Sequence, residues 1–343
     1  MGEVAIILSD VPEAVGDLAD GPVPVALPSL ARLGRFGERT VIAGWRAWLA
    51  GWLGRPDLAQ LAGTAPAVVA AAAVCGLRQQ GSVWLATPVH LTAGMRSVHM
   101  PPHGLLRLQG TAADELVRHF NASFEALGFT LRSLPGGGFL AQGPGQESFP
   151  VTTDPARLVG ADLGGSTPQG PGAAPLLRLG AELEMWLHEH PLNAARLQAR
   201  EHPISTLWLW GGGMVQRLMI NAAAADSVVM GRDAFAAGLC TASAARYQDD
   251  VPDAGAILAM VAGQARVAAL VPLFAPDAGA HPATVPGLLQ RLDAQLLAPL
   301  LAALGKGRIG RLLLVANDSV TVLRAGDGLK FWRRPRGPLR VLQ

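Results

Sequence analysis

Leu207-Trp208-Leu209-Trp210-Gly211-Gly212-Gly213 is the run from which the rest of this chain is best understood. Its unbroken bulky apolar residues fit a strand buried on both faces. The glycines that follow permit a tight turn or a close backbone approach. A helix from Val215 onward would make that turn a place where backbone N–H groups face an anion. Upstream, Leu176, Leu179, Leu183, Trp186 and Leu187 recur at helical spacing and lead into Leu187-His188-Glu189-His190-Pro191-Leu192-Asn193. Pro191 disfavours the α conformation at His190, so the helix is expected to stop there, with the imidazoles and carboxylates gathered at its end.

Working outward, the apolar runs Val4–Leu8, Leu207–Trp210, Ser227–Val229, Val267–Phe274 and Leu312–Ala316 alternate with helical patterns, among them one from Asp233 and one over Val285–Leu304. Such alternation predicts an α/β layered domain with a mostly parallel sheet flanked by helices. The N-terminal third, to about Gly81, reads as helical, with Trp45, Trp48, Leu49, Trp52 and Leu53 on one face. Thr111 is the expected N-cap of a helix carrying Leu116, Val117, Phe120 and Phe124 and closed by Gly128. Phe129–Leu134 and Phe139–Gln142, joined through Pro135-Gly136-Gly137-Gly138, read as a hairpin. Gly143 to Pro175 is too long for an ordinary connection and reads as a linker, lid or domain crossing. The expected division is a core formed by residues 1–86 and 161–343, interrupted by a smaller inserted α+β cap domain over 87–160.

Composition narrows the function classes. The chain has 343 residues, 50% of them hydrophobic and only 16% charged. Its longest uncharged apolar stretch, Ala65–Leu77, falls short of the ~20 residues a bilayer span needs, so no membrane role is expected. A formal net charge of +2 argues against a nucleic-acid binder working by bulk electrostatics. The opening residues lack a basic segment followed by an apolar one, so no signal peptide is expected. Cys75 and Cys240 stand far apart among apolar or small residues and read as buried reduced thiols, which fits a cytoplasmic protein.

The blocks Leu187-His188-Glu189-His190-Pro191-Leu192-Asn193-Ala194-Ala195-Arg196 and Ser205-Thr206-Leu207-Trp208-Leu209-Trp210-Gly211-Gly212-Gly213 resemble those of the archaeal-type, cofactor-independent phosphoglycerate mutases. Those enzymes show a Leu, two residues, His-Pro-Val-Asn-x-x-Arg, then Asn-x-Ile-Trp-Pro-Trp-Gly-x-Gly. The bacterial RpfE-type regulatory proteins, with their Leu-Trp-Gly-Gly-Gly form, are closer still. The resemblance implies an alkaline-phosphatase-like core with an inserted cap, a serine nucleophile, and two divalent metals (Mn²⁺ or Zn²⁺) held by Asp and His at the carboxyl ends of strands.

Set against that pattern, Asp10 follows the first strand, but without the family's glycine after it. Asp277-Ala278-Gly279-Ala280-His281 keeps an Asp-x-x-x-His spacing. Asp318 follows Leu312–Ala316, where the family has Asp-His; here the imidazole is missing. The implied metal ligands are therefore Asp10, Asp277, His281 and Asp318. No Pro-Gly-Ser-Asp-type block lies between Leu30 and Gly81, and neither Ser29 nor Thr64 sits in a glycine elbow. Lys330-Phe331-Trp332 replaces a later His block, and Phe139-Leu140-Ala141 takes the register of the cap arginine.

The resemblance also implies a substrate-facing role for His188, His190, Asn193, Arg196, Gly211, Gly212 and Gly213. The competing reading is structural. The imidazoles would cap the helix C-terminus, Asn193 and Arg196 would brace the following turn, and the glycines would serve close packing. Persistence of these blocks without the nucleophile suggests a catalytically impaired phosphoglycerate-mutase-like protein. Its role would be regulatory, through binding a phosphorylated small molecule or a protein partner. The alternatives are a divergent metal-dependent mutase or phosphatase, and a structural protein-interaction module.

Overall fold

The computed structural model describes residues 2–9, 11, 26–94, 97–263, 266–272, 285–327, 339 and 342. In chain order its strands are β1 (Gly2–Leu8), β2 (Glu38–Val41), β3 (Gly81–Val89), β4 (Thr92–Ala93), β5 (Val98–His99), β6 (Thr130–Ser133), β7 (Phe139–Pro144), β8 (Thr206–Met214), β9 (Ser227–Met230), β10 (Arg246–Gln248), β11 (Arg266–Val271), β12 (Ile309–Ala316) and β13 (Ser319–Arg324). Two compact units result. One takes residues 1–59, 220–232 and 243–343; the other takes 60–219 and 233–242.

The first unit is built on a seven-stranded sheet of order β10-β9-β11-β1-β12-β13-β2. Pairing is parallel from β10 to β12 and antiparallel at β13 and β2. This is the mixed α/β architecture, with a mostly parallel sheet flanked by helices, that the alternation predicts. Val4, Ile6 and Leu8 of β1 bury one face against Leu30 and Leu33, Ile257 and Leu300 of three helices, Pro28–Phe36, Ala254–Gly263 and Ala298–Gly305. The helix Pro28–Phe36 has no side-chain cap of its own, because Leu27 precedes it. Its first N–H groups are taken instead by the buried carboxylate of Asp293, which accepts from Ser29 N (3.1 Å) and Leu30 N (2.7 Å). A negative charge at a helix N-terminus is the favourable sign. The expected long helix after Val285 is present, but with a π-helical segment, Leu292–Leu297, that carries Asp293.

The second unit holds a four-stranded sheet of order β6-β7-β3-β8, antiparallel throughout. One face carries Trp84, Leu207 and Leu209 against the helices Gly110–Phe124 and Ala173–His188, through Phe120, Leu179 and Leu183. The other carries Val83, Leu85, Leu140 and Trp210 against the helix Pro66–Ala70. Covering on both faces explains the continuous apolar run of β8. That run was expected in the parallel sheet; it belongs here because β8 pairs with β3, Val89 opposite Thr206. The same pairing moves the unit boundaries to residues 60 and 219 from the expected 87 and 160, and makes the second unit comparable in extent to the first, not smaller.

Other local expectations are corrected. No helix begins at Val215: β8 continues through the glycines to Met214, and a 3-10 turn, Ala222–Ala224, comes later. The helix expected from Thr111 starts at Gly110, after Gln109, with no side-chain cap; Gly128, at φ +86°, does close that segment. β2 lies within the third read as helical. Cys75 is exposed, whereas Cys240 is buried and its thiol is pushed up to about 12 by desolvation. Phe274 falls outside the described residues. No helix among the described residues is long and apolar enough to cross a membrane.

Candidate functional site

Of the metal ligands the resemblance implies, Asp10, Asp277 and His281 lie outside the described residues. Asp318 is exposed, in the two-residue loop joining β12 to β13, where Ala316 already pairs with Ser319. Its neighbour Asn317 adopts φ +43°, a conformation that Asn tolerates better than most residues. The Asn317 amide donates to the Val11 carbonyl (3.0 Å), and the Asp318 carbonyl accepts from Ile42 N (2.8 Å). This loop is a closed hairpin reversal. Elsewhere at the carboxyl ends of the parallel strands, Ser9 follows β1, while Arg232 and Asp249, after β9 and β10, form a 3.7 Å ion pair.

The histidine block works by a different geometry. The helix Ala173–His188 ends where Pro191 predicts, but His190 caps the N-terminus of the next helix, Pro191–Gln198, rather than the C-terminus of the one before. Leu192 N–H donates to His190 Nδ1 (3.1 Å), so Nδ1 holds the lone pair. The proton is therefore on Nε2, which donates to His119 Nδ1 (3.0 Å). Burial, then His119, holds the His190 pKa below the ordinary imidazole value, against a weaker opposing pull from Glu115. His188 is exposed at the helix end.

Asn193 is buried, and its amide is fully used: Nδ2 donates to Leu187 O (2.8 Å) and Ile204 O (2.9 Å), while Oδ1 accepts from Ile204 N (2.8 Å). Arg196 Nε donates to His202 O (2.8 Å), and its Nη1 pairs with Glu201 (3.0 Å). Both side chains therefore brace the loop that leads into β8.

The glycines are buried within β8. Gly211, at φ +63°, sits where the β3–β8 register shifts, and its N–H donates to Thr152 Oγ1 (2.9 Å). A methyl group at Gly212 would overlap the Trp84 ring, and one at Gly213 would come within 2.6 Å of Val68. Close packing is the job these glycines perform.

A cavity of about 220 Å³ opens in the second unit between Thr152, Thr167, Leu176, Glu184, Thr206 and Trp208, among others. None of the seven residues with an expected substrate-facing role lines it. Among the described residues, Glu184 is the only ionisable one lining it, so of the described side chains a phosphorylated ligand would meet a carboxylate and no cation. The buried Thr206 hydroxyl has no hydrogen-bond partner among the described residues.

Sequence spacing gave no warning of a third feature. His90, just after β3, His103, in the loop after β5, and His202, in the loop before β8, bring one ring nitrogen each to within 4.8 Å of one another. The His103 and His202 rings stack at 4.0 Å between centroids. Burial, followed by the neighbouring imidazoles, lowers the His103 pKa. At His90 burial again dominates the lowering, against the hydrogen bond to Pro203.

No family model matches the chain, and no curated protein matches it. Among solved structures, it is similar to the cofactor-independent phosphoglycerate mutase from Thermoplasma acidophilum DSM 1728. Identity is 14%, with 95% of this chain and 90% of that chain covered, at a TM-score of 0.45. It is also similar to the PH0037 protein from Pyrococcus horikoshii, at 13% identity, 95% and 87% coverage, and a TM-score of 0.48. The architecture rests on the strand topology and not on these likenesses.

Proposed function

We propose that this chain is a phosphoglycerate-mutase-like protein that acts by binding, not by phosphoryl transfer, in the regulatory manner of the RpfE type. The Asn317-Asp318 hairpin carries this reading. Where the resembled enzymes place an Asp-His pair after a strand, this chain has an exposed loop closed by its own backbone and by the Asn317–Val11 bond. A two-metal mechanism needs ligands converging on both ions and an activated nucleophile. The sequence has no nucleophile block, and this position lacks its imidazole. The most conspicuous resembling residues, His190, Asn193 and the glycines, are meanwhile engaged in capping and packing.

The ligand class is a phosphorylated small molecule or a protein partner. For the former, the carboxyl ends of the parallel strands, where Arg232 stands, suit an anion better than the Glu184-lined cavity. The test is incubation with 2- and 3-phosphoglycerate and Mn²⁺. The expected result is no interconversion, with an upward shift in melting temperature on adding phosphoglycerate that Arg232→Ala removes. Turnover that disappears in Asp277→Ala would instead establish the second reading, a divergent metal-dependent mutase or phosphatase. Ser9, a hydroxyl at the carboxyl end of β1 next to Asp10, is the feature that favours it.

A further inference from the structure

We propose that His90, His103 and His202 form a binding site for a divalent transition-metal ion of the Zn²⁺ class. The proposal does not rest on the phosphate-binding reading. Its residues all belong to the second unit, whereas the carboxylates the resemblance singles out fall in the residue ranges of the first.

Three imidazoles from distant segments meet here, and the backbone under each is pinned. His90 N–H donates to Gly104 O (2.7 Å), which ties the His103 loop to the end of β3. Gly104 admits no larger residue: a Cβ there would lie 2.5 Å from Met100 Cγ and 2.9 Å from the His90 and Pro101 carbonyls. Arg196 holds the His202 carbonyl, and Asn193 holds Ile204 on the other side of Pro203. Ser205 N–H donates to Val89 O (2.7 Å), and Leu91 N–H to Ser205 Oγ (2.9 Å).

The tautomer of His90 follows from its partner. Its Nδ1 faces the Pro203 carbonyl at 3.0 Å, and a carbonyl accepts only from an N–H. Nε2 is then left with its lone pair. A ring nitrogen bonded to a backbone carbonyl, with the other free to ligate, is the usual support of a metal-binding histidine.

Packing alone does not account for the cluster. His103 and His202 are exposed, so their stacking fills no core. Tetrahedral Zn–N bonds of about 2.0–2.1 Å place ligand nitrogens roughly 3.3 Å apart, so from a spacing within 4.8 Å binding requires the exposed His103 and His202 rings to turn inward. Three imidazoles select Zn²⁺, Cu²⁺, Ni²⁺ or Fe²⁺ over the oxygen-seeking Mg²⁺ and Ca²⁺. Three protein ligands also leave a fourth position open for water or an anionic group.

The experiment is titration of the chelator-treated full chain with Zn²⁺ by calorimetry, and with Co²⁺ by visible absorption. The expected result is one tightly bound ion with a tetrahedral Co²⁺ spectrum. His103→Ala and His202→Ala, both at exposed positions, should each weaken binding by more than the roughly 10- to 100-fold typical of losing a supporting partner. Asp318→Asn should change nothing. Absence of stoichiometric binding would overturn the proposal, as would binding that survives both histidine variants or falls with Asp318→Asn. An equal response to Mg²⁺ would do the same.

Discussion

The two sheets of this protein employ their polar residues in opposite ways. In the seven-stranded sheet, the buried carboxylates are committed to holding the fold. Glu3, at the start of β1, accepts from Trp52 Nε1 (2.7 Å) and pairs with Arg311 (2.8 Å) and Arg266 (3.5 Å), at the end of the sheet away from the carboxyl ends of its parallel strands. Asp293 caps a helix. In the four-stranded unit imidazoles stand beside the buried Ser82, Gln142, Asn193 and Thr206. Of eight histidines in the chain, all but His281 fall within residues 60–219. Five of those seven form one capping pair, His119–His190, and one convergent triad. A carboxylate already satisfied by N–H donors and guanidinium groups has little left for a ligand, whereas a neutral imidazole with one nitrogen engaged keeps the other available.

This contrast can be broken at several points, and the largest effect is expected in the four-stranded sheet. Gly212→Ala drives a methyl group into the Trp84 ring and should cost about 3 kcal/mol in urea unfolding. A loss under about 1 kcal/mol would show that β3 and β8 can part at the bulge. In the other unit, Asp293→Ala leaves two helix N–H groups unpaired and should cost about 2 kcal/mol by the same measurement. Asp293→Asn, which keeps an acceptor, should recover part of it.

His190→Ala should cost about 1 kcal/mol, the usual worth of an N-cap, while His190→Asn should retain most of the stability. The histidine also sets a pH dependence. Its folded pKa lies below the unfolded value near 6.5, so the unfolded state binds the extra proton first. The contribution is therefore complete above pH 6.5 and is lost as the pH falls through the folded value. Protonation places a hydrogen on Nδ1, the atom that accepts from Leu192, and His119 and Glu115 are the other titratable groups acting there. Unfolding measured from pH 7.5 downward should lose more stability in the wild type than in His190→Asn; equal slopes would rule out the cap as the source. The smallest effect belongs to Gly51→Ala. This is an exposed position in the helix Trp45–Trp52 with nothing within 4 Å, and it should gain about 0.5 kcal/mol.

Much of the local structure was readable in the sequence. The strands β1, β9 and β12, the hairpin β6–β7, and the break before Pro191 follow from periodicity and from proline and glycine chemistry. The bracing roles of Asn193 and Arg196 and the packing role of the glycines also correspond to what those residue types do near a turn or a buried strand. Two of the failures share a cause. Leu207–Trp210 announces a strand covered on both faces, but that covering is as well supplied by helices on either side of an antiparallel sheet as by a parallel core. Similarly, Leu187–Asn193 announces a helix break, but not that His190 would start a new helix and reach His119 in another.

Residue order alone was enough to specify β1, β9, β12, the β6–β7 hairpin and the helix break before Pro191, because those choices depend on neighbours a few positions away; it did not specify β2 or the continuation of β8 through the glycines. The pairing of β8 with β3, and with it the extent of the second unit, required the folded chain, since strand partners are selected by non-local burial. So did the meeting of His90, His103 and His202. No regular spacing links these residues, and their proximity arises only when the end of β3, the loop after β5 and the loop before β8 are drawn together by backbone hydrogen bonds.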